Sequence, residues 1–539
     1  MQFVFLPTDA VLWAIVLCLA FAWRHVRRTP ALRARWARVF ENGAAGASAM
    51  VLVFFIAIAA LDSVHWRAAL PPAPGATTEA YSPVVTSGLD ALVSSIGAAG
   101  RERSYSAPFA VKAFDKTTEI VDGKAVRLHA PLEHAGKSVS PYGTPATAVV
   151  KKTLIAAIAG GVFAVFAWIL TGALLARRRG LSFQDGMAAL ANRDGRFPWR
   201  SAMGAGTVLW LLVVWVALVW PDWHIFGTDA VGNDVLYEAL KSVRTAIVIG
   251  TLATLATLPF ALLLGIAAGY FRGWVDDVIQ YVYTTISSIP SVLLIAASVL
   301  MVTVFLDKHP DYYQTSLERA DLKLFLLAVI IGMTGWSTLA RLLRAETMKI
   351  STLDYVRAAK ALGVSSFQIM RRHVLPNVLH IVLIVTVLDF SGIVLYEAVL
   401  SYVGVGVDPA MHSFGTLINA ARSELSRSPM VWWNLAASFC FLLAIVLPAN
   451  LFAAAVRDAF DPRAAAAGAV KRLFGRVPPA APEECEAAED ESEGRAGAEV
   501  LQAPKAGSEP AAERSDGPSP RRGRGSRGGQ SAKRRRSAR

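Results

Sequence analysis

The sequence has few charged residues and almost no cysteine. Only 18% of its 539 residues are charged, against about 25% in an average soluble domain, and 54% are hydrophobic. Its three cysteines, Cys18, Cys440 and Cys485, form neither a paired framework nor a metal-spaced cluster. The composition argues against a soluble domain, a disulfide scaffold and a metal site, and it predicts an all-α integral membrane protein.

The sequence also lacks motifs for hydrolysis. Gly136-Lys137-Ser138 ends like a phosphate-binding loop, but Pro131 stands where that loop needs glycine, and Gly528-Gly529-Gln530 lies in a segment of biased composition. His129 and His134 are five residues apart, which is not a usual metal spacing, so we interpret them as surface histidines. We therefore predict no catalytic residue and no cofactor in this chain, and any energy supply must come from a partner.

Long apolar stretches predict about nine membrane-spanning helices, at about 20 residues per crossing. They lie at residues 10–23, 44–62, 153–175, 204–220, 244–269, 281–306, 323–340, 379–400 and 433–456. Alternate loops differ in lysine and arginine content. Lysine and arginine together number 6, 6, 1 and 7 in the loops 24–43, 176–203, 270–280 and 341–378. They number 1, 2 and 2 in the loops 221–242, 307–322 and 401–432. Because cytoplasmic loops carry this excess, the first set faces the cytoplasm.

Two regions lie outside the spans. By the same alternation residues 63–152 form an external insert, in which residues 119–128 alternate around Asp122-Gly123 and predict a β-hairpin. Residues 464–539 are rich in Ala, Pro, Glu, Gly and Arg and predict a disordered cytoplasmic tail, because such a segment buries too little apolar surface to fold. The basic end of this tail can contact membrane lipids, but without a folded recognition module we expect no specific nucleic-acid partner.

The loop at 341–377 predicts two short helices on the cytoplasmic side. Ser351 and Thr352 can cap the first helix, and Gly363 can end it in a left-handed conformation. Leu353, Val356 and Leu362 form its apolar side. Ser365–Gln368 has capping-box spacing for the second helix, and Leu375-Pro376 marks a break before the next span. The pattern fits either a docking element for a partner or an amphipathic connector on the membrane.

This loop resembles the EAA loop of binding-protein-dependent ABC importer permeases. The resemblance rests on residues 354–363 and 373–377, with Arg357 where that family carries its eponymous glutamate. Four further segments resemble the C-type permeases of dipeptide, oligopeptide and nickel importers in the same order. They are the external motif 226–236, with Asn233 in place of the usual arginine, and residues 269–276, 397–406 and 457–463.

The resemblance implies a six-helix permease core of the type I importer kind at residues 204–463, with the EAA loop at 345–377. Residues 38–42 and the span after them also look like the family's first helix. Residues 1–62 would then form two helices with a basic cytoplasmic loop, residues 63–152 a periplasmic insert, and residues 153–203 an additional helix and loop.

The resemblance also implies the partners and the residues that meet them. A sister permease would complete the path across the bacterial inner membrane, a periplasmic solute-binding protein would deliver a peptide or other small solute, and ATPase subunits would bind ATP and Mg. The expected coupling residues are Leu353, Val356, Arg357, Ala358, Ala359, Leu362, Gly363, Leu375 and Pro376. The residues that match the family's external motif are Gly227, Thr228, Asp229, Gly232 and Asp234.

One acid lies near the middle of a predicted span. Asp389 costs at least about 2.5 kcal/mol there unless it faces water, a partner or the bundle interior. On a helix Tyr396 returns to within about 20° of Asp389, whereas Glu397 lies about 80° away. Two interpretations stay open: these residues line the translocation path, where the acid attracts a cationic group, or Asp389 locks its helix to a neighbour.

An ion-coupled secondary transporter is the main alternative function. Such carriers need paired carboxylates at the bilayer midplane and broken helices in related halves. The sequence shows only isolated acids within its spans. We therefore favour the importer permease.

Overall fold

The computed structural model describes residues 2–70, 81–97, 100–121, 124–136, 145–191, 198–313 and 315–460. These residues belong to the first of two units, Met1–Ala467. The predicted tail at 464–539 and the last three residues of the motif 457–463 lie outside the described residues.

Nine helices within the described ranges are long and apolar enough to cross a membrane, as predicted. They are α1 (Pro7–Arg28), α3 (Gly43–Asp62), α5 (Pro145–Arg179), α7 (Trp199–Val219), α8 (Val235–Phe271), α10 (Ser291–Lys308), α11 (Ser316–Ile350), α14 (Leu375–Tyr402) and α16 (Trp433–Phe460). The shorter helices are α2 (Pro30–Val39), α4 (Gly88–Ile96), α6 (Phe183–Ala191), α9 (Trp274–Ser288), α12 (Asp354–Ala361), α13 (Ser366–Ile369) and α15 (Phe414–Glu424). The predicted all-α membrane fold is confirmed.

The hydrophobic core is built around α8 and α11, which pack against each other along most of their length. Helices α3, α14 and α16 pack on α8. One cluster of buried residues joins these helices, and it includes Val243, Leu252, Leu324 and Val394. A second cluster joins the cytoplasmic halves of α8 and α11 to the loop that follows, through residues such as Ile266, Leu343 and Val356. The second cluster places the cytoplasmic loop on the core.

Helix α3 belongs to this core, although the predicted core begins only at residue 204. It packs on α16 and α8, and its entry segment at Val39 and Ala45 packs against Val456 and Phe460 of α16. Helix α7 lies on the outer side of α3, and α5 packs on α7. This packing supports the resemblance of α3 to the family's first core helix, and it places α5 and α7 at the periphery, although α7 falls within the predicted core at 204–463.

The predicted span at 281–306 starts too early, because two helices occupy it and α10 is the one that is long and apolar enough to cross a membrane. Helix α9 ends at Ser288 and α10 begins at Ser291, with Ile289 in an extended conformation before Pro290. Proline disfavours a helical residue before it, so an apolar run can continue where the helix does not. By contrast, Leu375-Pro376 makes no break. Pro376 lies in the first turn of α14, where a missing N–H costs little, and a π-helical turn at Met370–Val374 precedes it.

The insert contains the predicted hairpin and a sheet that was not predicted. Strands β4 (Thr117–Val121) and β5 (Lys124–Leu128) pair antiparallel, with Val121 opposite Lys124, so the hairpin is confirmed. Its turn, Asp122-Gly123, lies outside the described residues. A second sheet joins β1 (Gln2–Val4), β2 (His65–Ala69) and β3 (Tyr81–Ser87), in that order. The amino-terminal strand therefore pairs with the segment that follows α3.

Candidate coupling and translocation site

The cytoplasmic helix α12 is anchored to the core by one face. Val356 is 3% exposed and Ala359 is also buried, and both belong to the cluster on α8 and α11. The prediction that Val356 and Ala359 contact a partner is wrong, because both side chains are already covered by their own chain. Gly363 follows α12 with φ +77°, as its predicted role requires.

The remaining apolar side chains of this region face outward. Leu362 is 83% exposed, and Leu353 and Tyr355 are also exposed. Arg357 and Ala358 lie on the exposed side of α12 as well. Helix α12 therefore buries one apolar face in the chain, and the leucines that flank it, Leu353 and Leu362, are open on the cytoplasmic side.

Polar contacts hold this loop in place. The Tyr355 hydroxyl accepts a hydrogen bond from Asn377 Nδ2 at 3.0 Å, which ties α12 to the start of α14. Arg272, in the motif 269–276, donates from Nη2 to the Met348 carbonyl at 3.2 Å and to Ser351 Oγ at 3.0 Å. The motif therefore fixes the end of α11, from which the loop departs.

Two predicted caps have another role. The Ser351 hydroxyl donates to the Met348 carbonyl at 2.8 Å, and the Thr352 hydroxyl donates to the Lys349 carbonyl at 2.7 Å. Both therefore cap the end of α11, and the residue that precedes α12 is Leu353, which makes no side-chain cap. Leu375 is partly buried and Pro376 is exposed at the first turn of α14.

At the opposite end of the molecule the external motif lies beneath the insert. Thr228 is 0% exposed, and its Oγ1 donates to the Ser104 carbonyl at 2.8 Å and accepts from the Ser106 N–H at 2.7 Å. A Cβ at Gly227 would overlap the Ser106 carbonyl, and one at Gly232 would overlap the Glu102 carbonyl. The motif glycines thus allow the insert backbone to approach.

The two motif acids organise the start of α8. Asp229 Oδ1 accepts from the N–H groups of Val231 at 2.9 Å and Asn233 at 2.7 Å, which shapes the motif turn. Asp234 caps α8, where its Oδ1 accepts from the Leu236 N–H at 2.9 Å. Both carboxylates therefore serve the fold of the motif itself.

A buried ion cluster joins the insert to this motif. His224 Nδ1 lies 2.6 Å from Asp234 Oδ2, and its Nε2 lies 3.3 Å from Glu102 Oε1. Burial opposes the charge on His224, but its hydrogen bonds to Asp234 and Glu102 raise its pKa to about 9. Burial likewise opposes the charge on Glu102, but hydrogen bonds from His224 and from the N–H groups of residues 133–135 lower its pKa to about 2. His224 and Glu102 are therefore both charged at neutral pH.

A second buried network fastens α1 to the core. Arg244 Nη2 lies 2.6 Å from Asp9 Oδ1 and 3.2 Å from Asp321 Oδ1, and it donates to Thr8 Oγ1 at 2.7 Å. His65 Nδ1 lies 2.8 Å from Asp9 Oδ2. The side chains of Arg244, Asp9 and Asp321 are at most 4% exposed. Asp9 therefore lies inside α1, which begins at Pro7 and not at the predicted residue 10, and links this helix to α8 and α11.

The three candidate path residues on α14 have different surroundings. Asp389 is half-buried and forms no hydrogen bond or ion pair with another described residue. Tyr396 donates from its hydroxyl to Ser291 Oγ on α10 at 2.9 Å. Glu397 is 1% exposed and accepts from Ser401 Oγ at 2.8 Å. The structure contradicts a path role for Glu397, because this side chain is enclosed where α14 meets α15.

Comparisons with known proteins agree with this architecture. The family model described as the inner membrane component of binding-protein-dependent transport systems matches residues 261–466. The oligopeptide transport system permease protein OppC of Mycobacterium bovis is 30% identical over 239 residues, which cover 44% of this chain and 76% of that protein. OppC of Haemophilus influenzae is 29% identical over 241 residues, which cover 45% of this chain and 71% of that protein.

A third relative is the dipeptide transport system permease protein DppC of Lactococcus lactis subsp. cremoris. It is 30% identical over 243 residues, which cover 45% of this chain and 65% of that protein. Together with the fold, these matches show that the chain belongs to the family of binding-protein-dependent ABC importer permeases. It is a multi-pass protein of the bacterial inner membrane.

The sequence predictions missed the residues that join distant segments. Two acids, Asp9 and Asp321, and one base, Arg244, lie at the outer ends of three apolar stretches. Their opposite charges could have indicated that these three helices are joined by ion pairs. Glu102 and His224 are 122 residues apart, and no local pattern connects them.

Proposed function

We propose that the chain is one of two membrane subunits of an ATP-driven importer for peptides or similar small solutes. It forms half of the translocation path with a sister permease, and a periplasmic solute-binding protein delivers the substrate. Separate ATPase subunits bind ATP and Mg and dock on α12. The names of the relatives, which are oligopeptide and dipeptide transport permeases, support the substrate class.

The observation that carries the coupling role is the exposure of Leu353 and Leu362 at the two ends of α12. Val356 and Ala359 hold the helix on the core, and Leu353 and Leu362 extend away from it into the cytoplasm. An exposed aliphatic side chain on such an element gains free energy when a partner covers it, at about 25 cal/mol per Å². Because the anchored face joins the core of α8 and α11, movement of a docked ATPase can reach the membrane helices.

Replacing one exposed leucine tests this role. Leu362→Asp places a charge in the contact and leaves the anchored face intact, so recovery of the ATPase with the purified permease should fall about tenfold or more, equivalent to about 1.4 kcal/mol. Leu181→Asp is the matched control, because Leu181 is also exposed in a loop predicted to be cytoplasmic and lies outside α12. Equal ATPase recovery from Leu362→Asp and unmodified permease would refute docking on α12.

A further inference from the structure

The interruption between α9 and α10 lies inside the membrane. The segment Trp274–Lys308 runs antiparallel to α11, as three contacts show. Asp276 near its start pairs with Arg344 near the end of α11. Ser287 Oγ lies 3.3 Å from Ser337 Oγ, and Asp307 pairs with Arg319 near the start of α11. These contacts place Pro290 opposite the middle of α11. The break therefore lies within the membrane-spanning length of the chain, between the cytoplasmic pair Asp276–Arg344 and the external pair Asp307–Arg319.

The described chain leaves this break uncovered. Ser288, Ile289 and Pro290 are exposed, and Ser291 is also exposed although it accepts from the Tyr396 hydroxyl. Backbone that is not helical is tolerated at membrane depth only where protein buries it or where it lines a water-filled cavity. The break therefore faces water or another subunit and not lipid.

Asp389 lies on the side of α14 that carries Tyr396. Seven residues separate the two, so Asp389 is about 10 Å nearer the cytoplasm and about 20° around the helix. It borders the exposed face of α14, where Leu388, Gly392 and Leu395 lie. A half-buried carboxylate at this depth, with no partner among the described residues, needs a source of polarity outside the chain.

We propose that Asp389 is the cation-accepting residue of the translocation path, and that it receives an ammonium group such as the amino terminus of a peptide. The proposal rests on the proposed importer function. Two independent features support it, the uncovered break at Pro290 and the unpaired carboxylate of Asp389, and Tyr396 lies between them. Glu397, on the same helix, is enclosed and bonded and does not take part.

The test measures the electrostatic potential beside Asp389 without requiring transport. In the complete transporter, with Cys18, Cys440 and Cys485 replaced by serine, Gly392→Cys introduces a thiol one turn from Asp389, where no atom lies within 4 Å of a Cβ. A cationic and an anionic methanethiosulfonate reagent then compete for this thiol. Asp389→Asn should lower the cationic-to-anionic rate ratio about tenfold, since a unit charge about 6 Å away in water changes each rate about threefold.

Two comparisons complete the test. Val162→Cys, on the exposed surface of peripheral α5, should react with neither reagent. Asp389→Asn should also lower uptake of trialanine several-fold more than uptake of N-acetyltrialanine, which lacks the ammonium group. If unmodified transporter imports neither peptide and the rate ratio still falls, the site stands and the peptide assignment fails. An unreactive Gly392→Cys, or a rate ratio unchanged by Asp389→Asn, overturns the proposal.

Discussion

The outer and cytoplasmic sides of the protein differ in how far their functional segments are covered by the chain itself. At the outer end the polar groups of the motif are covered by the chain itself, and Thr228 is 0% exposed beneath the insert. At the cytoplasmic end α12 leaves Leu362 83% exposed. The external motif is covered by hydrogen bonds and ion pairs within the chain, whereas Leu353 and Leu362 beside α12 are open to a partner. A variant at the outer end should therefore damage the fold first, and one on the open face of α12 should damage assembly first.

The largest effect is expected from Arg244→Ala in the outer network. This change leaves Asp9 and Asp321 buried without their shared cation, which should lower the free energy of unfolding by about 3–5 kcal/mol. The measurement is thermal unfolding of the purified protein in detergent. Arg33→Ala, at an exposed position on α2, is the control and should change stability by less than about 0.5 kcal/mol.

A compensating variant separates lost charge balance from lost packing. Arg244→Met combined with Asp9→Asn and Asp321→Asn removes all three charges and keeps the side-chain volumes similar. Much of the lost stability should return, because neutral residues need no buried counter-ion. If Arg244→Ala unfolds at the same temperature as unmodified protein, the network does not fasten α1.

The next effect is the pH dependence of the contact between the insert and the external motif. The pKa of Glu102 is lowered to about 2, so its contribution is complete above about pH 4.5 and is lost as the pH falls toward 2. The pKa of His224 is raised to about 9, so its contribution is complete below about pH 6.5 and is lost as the pH rises through 9. The contact is therefore strongest between about pH 4.5 and 6.5.

Hydrogen exchange can follow this contact through the N–H groups of Glu133, His134 and Ala135, which donate to Glu102. After correction for the intrinsic exchange rate, their protection should fall between pH 6.5 and 9, because part of the raised pKa of His224 comes from its hydrogen bond to Glu102. His224→Gln should abolish this alkaline decline. An identical decline in His224→Gln would assign the titration to another group.

The sequence was informative where one short segment carried the whole signal. The spans, the hairpin at 117–128 and the positive φ of Gly363 all follow from local composition or spacing. Apolar character continues through Ile289 and Pro290, so hydropathy alone could not show the break there. The helix ends there because Pro290 disfavours a helical conformation at Ile289, and this proline is the feature of the sequence that indicates the break.

The candidate site was harder to predict because burial depends on distant segments. Val356 and Leu362 have the same apolar character in the sequence, and only the packing of α12 on α8 and α11 shows which one is free. Asp389 and Glu397 differ in the same way, because α15 and Ser401 enclose Glu397 and do not enclose Asp389. Which residues a partner can reach is therefore a property of the tertiary structure.

The smallest predicted effect compares one glycine from each end of the molecule. Gly363 and Gly232 both have positive φ, +77° and +88°, so alanine at either position costs about 1 kcal/mol or more of backbone strain. A Cβ at Gly363 meets no atom within 4 Å, whereas a Cβ at Gly232 overlaps the Glu102 carbonyl. Gly363→Ala should lower the free energy of unfolding by about 1 kcal/mol, and Gly232→Ala by about 3 kcal/mol because overlap adds to strain. Thermal unfolding of the two variants measures the difference, with Gly97→Ala as a second strained but open position. Equal losses at Gly363 and Gly232 would mean that the insert yields freely at the external motif, and the outer end would then be no more tightly built than the cytoplasmic end.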